Sequence, residues 1–340
     1  MSITQPDRRT LICVLDWGLG HASRSLALAG VLERGGEKPS FASSGRALVF
    51  LKTERPDLIC HELPAYNVTY PTRSMPLNVA LQLPRWLRTI WRERGCIRRL
   101  VASGAVDRVV SDNRFGCYTE AVPSIFLTHQ LHPITGNRLV SRIYRAWLQR
   151  FDGFWVPDHE AAERRVSGQL SAGHGYKNVR YIGPLSRLRG TSSLTPPVAG
   201  LDVSPGLSVL MVLSGPEPMR TRLEDILLRQ LPDLPGEHVL IRGLPGGAPA
   251  VPDPPANLTV HAFADAEMLE RLIPAARHIV CRSGYSTLMD VFALVPGNNL
   301  ILVPTPGQTE QVYLAERMRE RVGCRAAFIQ EKLDLSVLPA

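Results

Sequence analysis

Short β-branched or leucine-rich runs alternate along this chain with longer stretches whose apolar residues return at helical spacing. In the first half the runs fall at 10–16, 39–44, 57–63, 108–112, 124–129 and 153–157. Helical spacing predicts helices at 22–34, 45–54, 76–101, 115–121 and 136–150. The theme repeats at 207–215, 237–243, 258–263, 277–284 and 299–304, again with helical stretches between. Strands that alternate with helices argue for parallel α/β architecture, because each parallel pair needs a crossover and a helix supplies it. Residues 186–206 break the pattern. They are rich in Ser, Thr, Pro and Gly and carry little periodicity, which reads as a linker. The expected organisation is therefore two doubly wound lobes, 1–186 and 207–340, joined by a hinge at 187–206. Ligands of open parallel sheets bind outside the carboxyl ends of the strands, so a cleft between the lobes is the expected site.

Composition narrows the class without choosing a function. The 340 residues are 44% hydrophobic and 21% charged, as in an ordinary globular protein. A net charge of +8 favours anionic partners: nucleotide, nucleic acid or an anionic membrane surface. Six cysteines (13, 60, 96, 117, 281, 324) lie far apart without metal-type spacing, and read as reduced thiols of a cytosolic protein. The apolar run before Asp16 is too short for a secretory signal, and no stretch approaches the ~20 apolar residues of a membrane span. A cytoplasmic location is expected, with room for attachment at the inner face of a membrane.

The first chemical candidate is the turn Asp16-Trp17-Gly18-Leu19-Gly20-His21. A strand that runs through two glycines into a helix brings backbone N–H groups close to an anion. The dinucleotide fingerprint Gly-x-Gly-x-x-Gly fails, because position 23 is serine. The strand at 39–44 also ends without the acidic residue that would hold a ribose. A tight turn capped by His21 explains the glycines equally well.

The second candidate is more specific and lies within 281–318. Arg282, Ser283 and Gly284 close a buried strand, and Ser286 and Thr287 open a helix. Hydroxyls, an arginine and a helix N-terminus in one place suit a diphosphate. Asp290 follows Thr287 by one helical turn, within reach of the two hydroxyls of a ribose. The loop after Val303-Pro304 then delivers Gln308, Glu310 and Gln311, which offer both donors and acceptors to sugar hydroxyls. The bland alternative is an N-capped helix beside a polar surface loop.

This pattern, Ser-Gly-x-x-Thr-x-x-Asp, an apolar strand ending Val-Pro, then Glu-Gln, resembles the donor half of GT-B glycosyltransferases. It is most similar to the family-28 group typified by MurG, and the Gly-x-Gly-His turn resembles that group's N-terminal glycine-rich turn. The resemblance implies a GT-B fold, two Rossmann-like lobes facing a central cleft. It implies that Ser283, Gly284 and Thr287 hold the diphosphate of a UDP-sugar and that Asp290, where the group usually has Glu, holds the ribose. Glu310 and Gln311 would contact the donor sugar. Phe263 and Ala264 match the segment whose backbone reads the uracil. Ser214 and Gly215 match the turn that opens the second lobe, although Ser-Gly-Pro-Glu-Pro replaces the group's glycine-rich sequence there. Gly20 is counted with these donor residues.

The related natural-product transferases pair a histidine at the first turn with an aspartate at a later strand end. The resemblance places His21 and Asp112 in those roles, base and orienting carboxylate. A carboxylate of this kind fixes the imidazole tautomer and stabilises the imidazolium. A loop-capping role fits Asp112 as well. His129 and His132 form His-x-x-His after another strand, but no third ligand and no Asp-x-Asp run accompany them. No metal and no cofactor are expected, and the two histidines are expected to line the acceptor side. Residues 84–100 and 137–151 mix arginines with Trp, Leu, Ile and Tyr, which fits an anionic membrane surface or ordinary solvent-facing helices equally. No nucleic-acid module surrounds them. The expected activity is inverting, metal-independent transfer from a UDP-sugar, N-acetylglucosamine or another hexose, to an acceptor hydroxyl, on a lipid-linked or cell-envelope glycan. A nucleotide-sugar hydrolase or 2-epimerase, and a non-catalytic sugar-nucleotide binder, are the alternatives.

Overall fold

A computed structural model describes residues 3–67, 75–134, 137–188, 206–244, 247 and 249–338. The chain divides into two compact units, Met1–Leu185 and Ser186–Ala340. The linker expected at 187–206 lies outside the described residues except for 187, 188 and 206.

The first unit runs β1 (Arg9–Val14), α1 (Leu19–Arg34), β2 (Lys38–Ser43), α2 (Gly45–Glu54), β3 (Cys60–Glu62), α3 (Met75–Ala102) and β4 (Arg108–Asp112). It continues with β5 (Ser124–Leu127), α4 (Arg138–Leu148), β6 (Gly153–Val156) and β7 (Val179–Tyr181). All seven strands are parallel, in the order β3-β2-β1-β4-β5-β6-β7. The order reverses between β1 and β4, and the ends of those two strands open a crevice on which a ligand can settle.

The second unit repeats the plan with β8 (Leu207–Val212), α5 (Met219–Gln230), β9 (Glu237–Ile241), β10 (Leu258–His261), α6 (Ala266–Ala275) and β11 (His278–Cys281). It ends with α7 (Tyr285–Phe292), β12 (Leu300–Leu302), α8 (Thr309–Val322) and β13 (Arg325–Ala326). Its strands are also all parallel, ordered β10-β9-β8-β11-β12-β13, and reverse between β8 and β11.

The strands read as unbroken apolar runs because helices cover both faces of each sheet. β4 and β6 are buried along their whole length, and β1 at every residue after Arg9. Leu11, Cys13, Val109 and Cys117 pack with Ile97 of α3 on one face of the first sheet. Val209, Met211, Leu223, Leu227 and Val280 form the corresponding core of the second unit. Four cysteines are buried and Cys60 and Cys96 half-buried, all as free thiols.

One expected helix is absent. Residues 115–121 show helical spacing but form turns, because side chains from three directions claim the backbone. Gly116 N donates to Glu93 of α3, and Thr119 N to the Ser124 hydroxyl. Phe115 meanwhile packs tilted on Phe126 and edge-on against Tyr144 and Trp147, while Cys117 turns into the opposite core. Strands β7 and β13, of three and two residues, are too short to show a pattern in the sequence.

Candidate functional site: a histidine–aspartate centre and a nucleotide-type turn

In the first unit the chemistry gathers where β1 and β4 end. After β1 the chain turns through Gly18, which holds φ +156° and ψ 165°, a region open to glycine alone. That turn sets α1 so that His21 stands in its first turn. Asp112 is the last residue of β4, and Asn113 after it takes a left-handed φ of +57°. The two side chains meet, with His21 Nδ1 2.7 Å from Asp112 Oδ1. Asp112 is fully buried and the His21 side chain is 22% exposed, so one end of the ring is held and the other faces outward.

Two further residues of α1 join them, neither anticipated in the sequence. Arg24 Nε donates to Asp112 Oδ2 at 2.8 Å, and its Nη2 donates to Oδ1. The Ser25 hydroxyl donates to Oδ2 at 3.0 Å. His21, Arg24 and Ser25 stand at i, i+3 and i+4, one turn of one helix face, which is why a single carboxylate reaches all three. Burial on its own would raise the Asp112 carboxyl, but Arg24 and His21 overcome it and hold the group well below the ordinary carboxylate range. The signal for Arg24 was present, as a charged residue on the inward face of an amphipathic helix.

The histidine pair separates. His129, expected on the acceptor side, is 6% exposed and puts its Nδ1 2.9 Å from Arg24 Nη1. It supports the buried cluster instead of lining a cleft. His132 turns away and stacks on His174 with ring centroids 4.2 Å apart. Burial pushes the His132 imidazole below its usual value, and the neighbouring His174 and Arg145 push the same way.

In the second unit β11 leads through Arg282, Ser283 and Gly284 into α7. Gly284 is the N-cap, and no side chain caps the helix, so its first N–H groups point toward the turn where Ser286 and Thr287 are half-buried. Two residues expected at the diphosphate are instead structural. Arg282 is 1% exposed, and its guanidinium donates to the carbonyls of Met219, Val303 and Pro304 and to Gln330 Oε1. Burial pushes it down to about 10, with Glu331 opposing. It ties the ends of β11 and β12 together and cannot reach a ligand with these groups. Ser283 is likewise buried, its hydroxyl donating to Gln311 O at 2.7 Å. Gln311 braces its own loop, accepting from Thr305 N and donating to Gln308 Oε1. Gln308 and Glu310 are half-buried at the start of α8.

The turn after β8 comes up beside them. Gly215 holds φ +102°, and a Cβ built there would stand 3.5 Å from Thr305 Oγ1 and 3.9 Å from Arg282 Nε. Both of those polar atoms are buried with no hydrogen-bond partner among the described residues. A single acceptor oxygen below Gly215 would satisfy both. Asp290, expected at a ribose, accepts the Ser186 hydroxyl at 2.6 Å and the Arg187 backbone N–H. Burial pushes its carboxyl up to about 6 against those bonds. Arg187 lies over Phe263, 5.9 Å from the ring centroid, and donates to Ala264 O at 3.4 Å. The residues expected around the nucleoside therefore converge on one place, with the segment 186–187 packed against them.

The basic segments are helical. α4 buries only Leu148 and exposes Leu139, Val140 and Ile143 among Arg138, Arg142 and Arg145. α3 exposes Leu81, Leu83, Leu87 and Trp91, the last at 77%. Among the described residues no helix is long and apolar enough to cross a membrane.

No family model matches the chain, and no curated protein does. Solved structures do. The calicheamicin glycosyltransferase CalG4 superposes with a TM-score of 0.63 at 16% identity, over 95% of this chain and 86% of its own. The glycosyltransferase SnogD from Streptomyces nogalater gives 0.62 at 17% identity, over 96% and 89%. MurG from Acinetobacter baumannii gives 0.54 at 14% identity, over 98% and 88%. At such identities the likeness establishes the fold, and the fold is GT-B with two Rossmann-like units.

Proposed function

We propose that this chain transfers a sugar from a UDP-sugar to an acceptor hydroxyl, with inversion at the anomeric carbon and without a metal ion. The observation that carries the reading is the His21–Asp112 contact at the strand-order reversal of the first unit, within a GT-B fold. His21 Nε2 takes the acceptor proton as the acceptor oxygen bonds to the anomeric carbon and the UDP oxygen leaves. The second unit holds the donor. The α7 N-terminus, with Thr287 and Ser286, offsets charge on the departing diphosphate, while Glu310 faces the sugar and Gln311 braces the loop that carries it. The donor sugar is N-acetylglucosamine or another hexose, as in the family-28 group, and the acceptor belongs to a lipid-linked or cell-envelope glycan. A thermal-shift screen across nucleotide sugars tests the donor reading, since a ligand that binds only the native state raises its stability. No shift with any sugar nucleotide sinks it. Release of UDP at full rate without an acceptor would mark a hydrolase instead.

The turn at Gly215 gives a sharper test. Gly215→Ala forces a side chain into a left-handed backbone and lays a methyl group over Thr305 Oγ1 and Arg282 Nε. UDP-sugar affinity is expected to fall about tenfold, about 1.4 kcal/mol, because the methyl group takes the space a donor oxygen would fill. Calorimetric titration that returns the wild-type Kd removes this turn from the donor site.

We also propose that the first unit attaches to anionic membrane through α4 and the exposed apolar residues of α3. α4 carries three arginines, no acidic residue and an exposed apolar stripe. Such a helix lies in the headgroup layer, with apolar side chains inserted and arginines at lipid phosphates. The protein is expected to sediment with phosphatidylglycerol vesicles and not with phosphatidylcholine. The double substitution Leu139→Asp, Ile143→Asp should reduce that binding by about tenfold or more, two apolar side chains being lost from the interface. Unchanged sedimentation would assign the arginines to solvent.

A further inference from the structure

Arg24 is a buried cation that sugar transfer by a histidine–aspartate pair does not require. Its residue is 3% exposed, and its guanidinium reaches Asp112, His21 and His129. Nε and Nη2 hold the two oxygens of Asp112, Nη1 reaches His129 Nδ1, and Nη2 also lies 2.9 Å from His21 Nδ1. Guanidinium is a donor at any pH a protein survives. His129 must therefore present a bare Nδ1 to it and carry its ring proton on Nε2, where the Gln130 side-chain amide, whose nitrogen lies 3.3 Å away, must offer its oxygen instead. His21 Nδ1 has two neighbours with opposite demands, Asp112 that accepts a proton and Arg24 that offers one.

Geometry decides between them. Asp112 Oδ1 is the nearer partner, at 2.7 Å, and both Arg24 nitrogens on that side already have carboxylate oxygens to bond. With the carboxylate gripped at two points its plane cannot rotate, and Oδ1 stays aimed at the imidazole. We propose that Arg24 is a positioning residue for His21. It keeps Asp112 ionised and fixed, so that the His21 proton stays on Nδ1 and the outward Nε2 keeps its lone pair. The same side chain imposes the opposite tautomer on His129. The link from this tautomer to catalysis rests on the reading of His21 as the base; the tautomers themselves do not.

The test is 15N NMR of histidine-labelled full-length protein without substrate, above the pH at which imidazole is protonated. An imidazole in water favours the proton on Nε2, so an Nδ1–H signature at His21 beside an Nε2–H signature at His129 is the expected result. The reverse assignment at either ring in the wild type overturns the proposal. In Arg24→Met the His21 signature is expected to move toward the mixed value of free imidazole. The transfer kcat then drops roughly tenfold to a hundredfold at unchanged donor KM, as for a misplaced general base. Should that variant not fold, Arg24→Lys keeps the charge but cannot bridge both carboxylate oxygens and His129 together. It is expected to release the His129 tautomer and lower kcat with it. A folded variant with both wild-type tautomers, or one with altered tautomers and wild-type kcat, defeats the assignment. Should wild-type protein transfer no sugar from any donor, the proposed function fails while the spectra still decide the role of Arg24.

Discussion

His21→Ala should lower kcat for sugar transfer by about 10²–10⁴, the usual contribution of a general base, with donor affinity unchanged within about twofold. The effect is large because nothing else in the first unit's centre can take the proton. Asp112 is fully buried and its charge is already met by Arg24, Ser25 and His21. His129 is buried behind Arg24 and presents Nδ1 to it. Donor affinity is the control, since the residues proposed for the donor, Gly20 apart, belong to the second unit. His21→Gln, which keeps a polar side chain without a titrating nitrogen, should fail equally. Near-normal turnover by either variant would remove His21 from the reaction. A matching loss of donor affinity would instead mean that His21 binds ligand and does not act as the base.

Much of the frame behind that prediction was readable from hydrophobic pattern. Strands buried on both faces leave continuous apolar runs, so β1, β4, β8 and β11 and the turns at their ends could be placed from the sequence. Those placements put His21 and Asp112 at one edge of the sheet, and the resemblance to glycosyltransferases supplied the reason to pair them. Roles that depend on which way a side chain turns were not readable. Arg282 has the charge for a diphosphate, yet its guanidinium runs back into carbonyls of the β12 end. His129 and His132 share a motif but not a surface, because the chain bends between them and sends one under Arg24 and the other onto His174. The helical spacing of 115–121 lost to the distant Glu93, which takes the Gly116 N–H. Each of these outcomes is set by partners far away in sequence, and spacing reports only near neighbours.

The donor turn shows the same limit from the other side. The sequence grouped hydroxyls and amides into one polar constellation, and the structure divides them. Ser283, Gln308 and Gln311 bond to one another's loops, whereas Ser286, Thr287 and Glu310 stand half-buried at helix starts. On the proposed donor reading the half-buried residues are the ones nearest the ligand, and the loop-bonded ones keep them in place. Thr305, not singled out by any motif, enters through the Gly215 turn, where an orphaned hydroxyl and an orphaned guanidinium N–H converge.

The largest stability effect is expected from Asp112→Ala, at about 3–5 kcal/mol, because it leaves the buried Arg24 charge without its carboxylate. In a unit of this size that lowers the melting temperature by on the order of 10 °C. The wild-type contribution has a defined sign with pH. The folded-state carboxyl is held below its unfolded value, so its stabilisation is complete above the ordinary aspartate pKa and is lost as pH falls below it. Stability should therefore decline on acidification from about pH 4 downward, and Asp112→Ala should flatten that part of the profile. The double variant Arg24→Met, Asp112→Leu separates folding from chemistry. With both charges replaced by apolar groups of similar volume, most of the lost stability should return, since a buried ion pair and a well-packed apolar pair are often nearly equal in stability. Transfer should not return, because His21 then has no carboxylate to fix its tautomer. A double variant as unstable as Asp112→Ala would show that Ser25 and His21, and not the Arg24 charge, are what Asp112 stabilises.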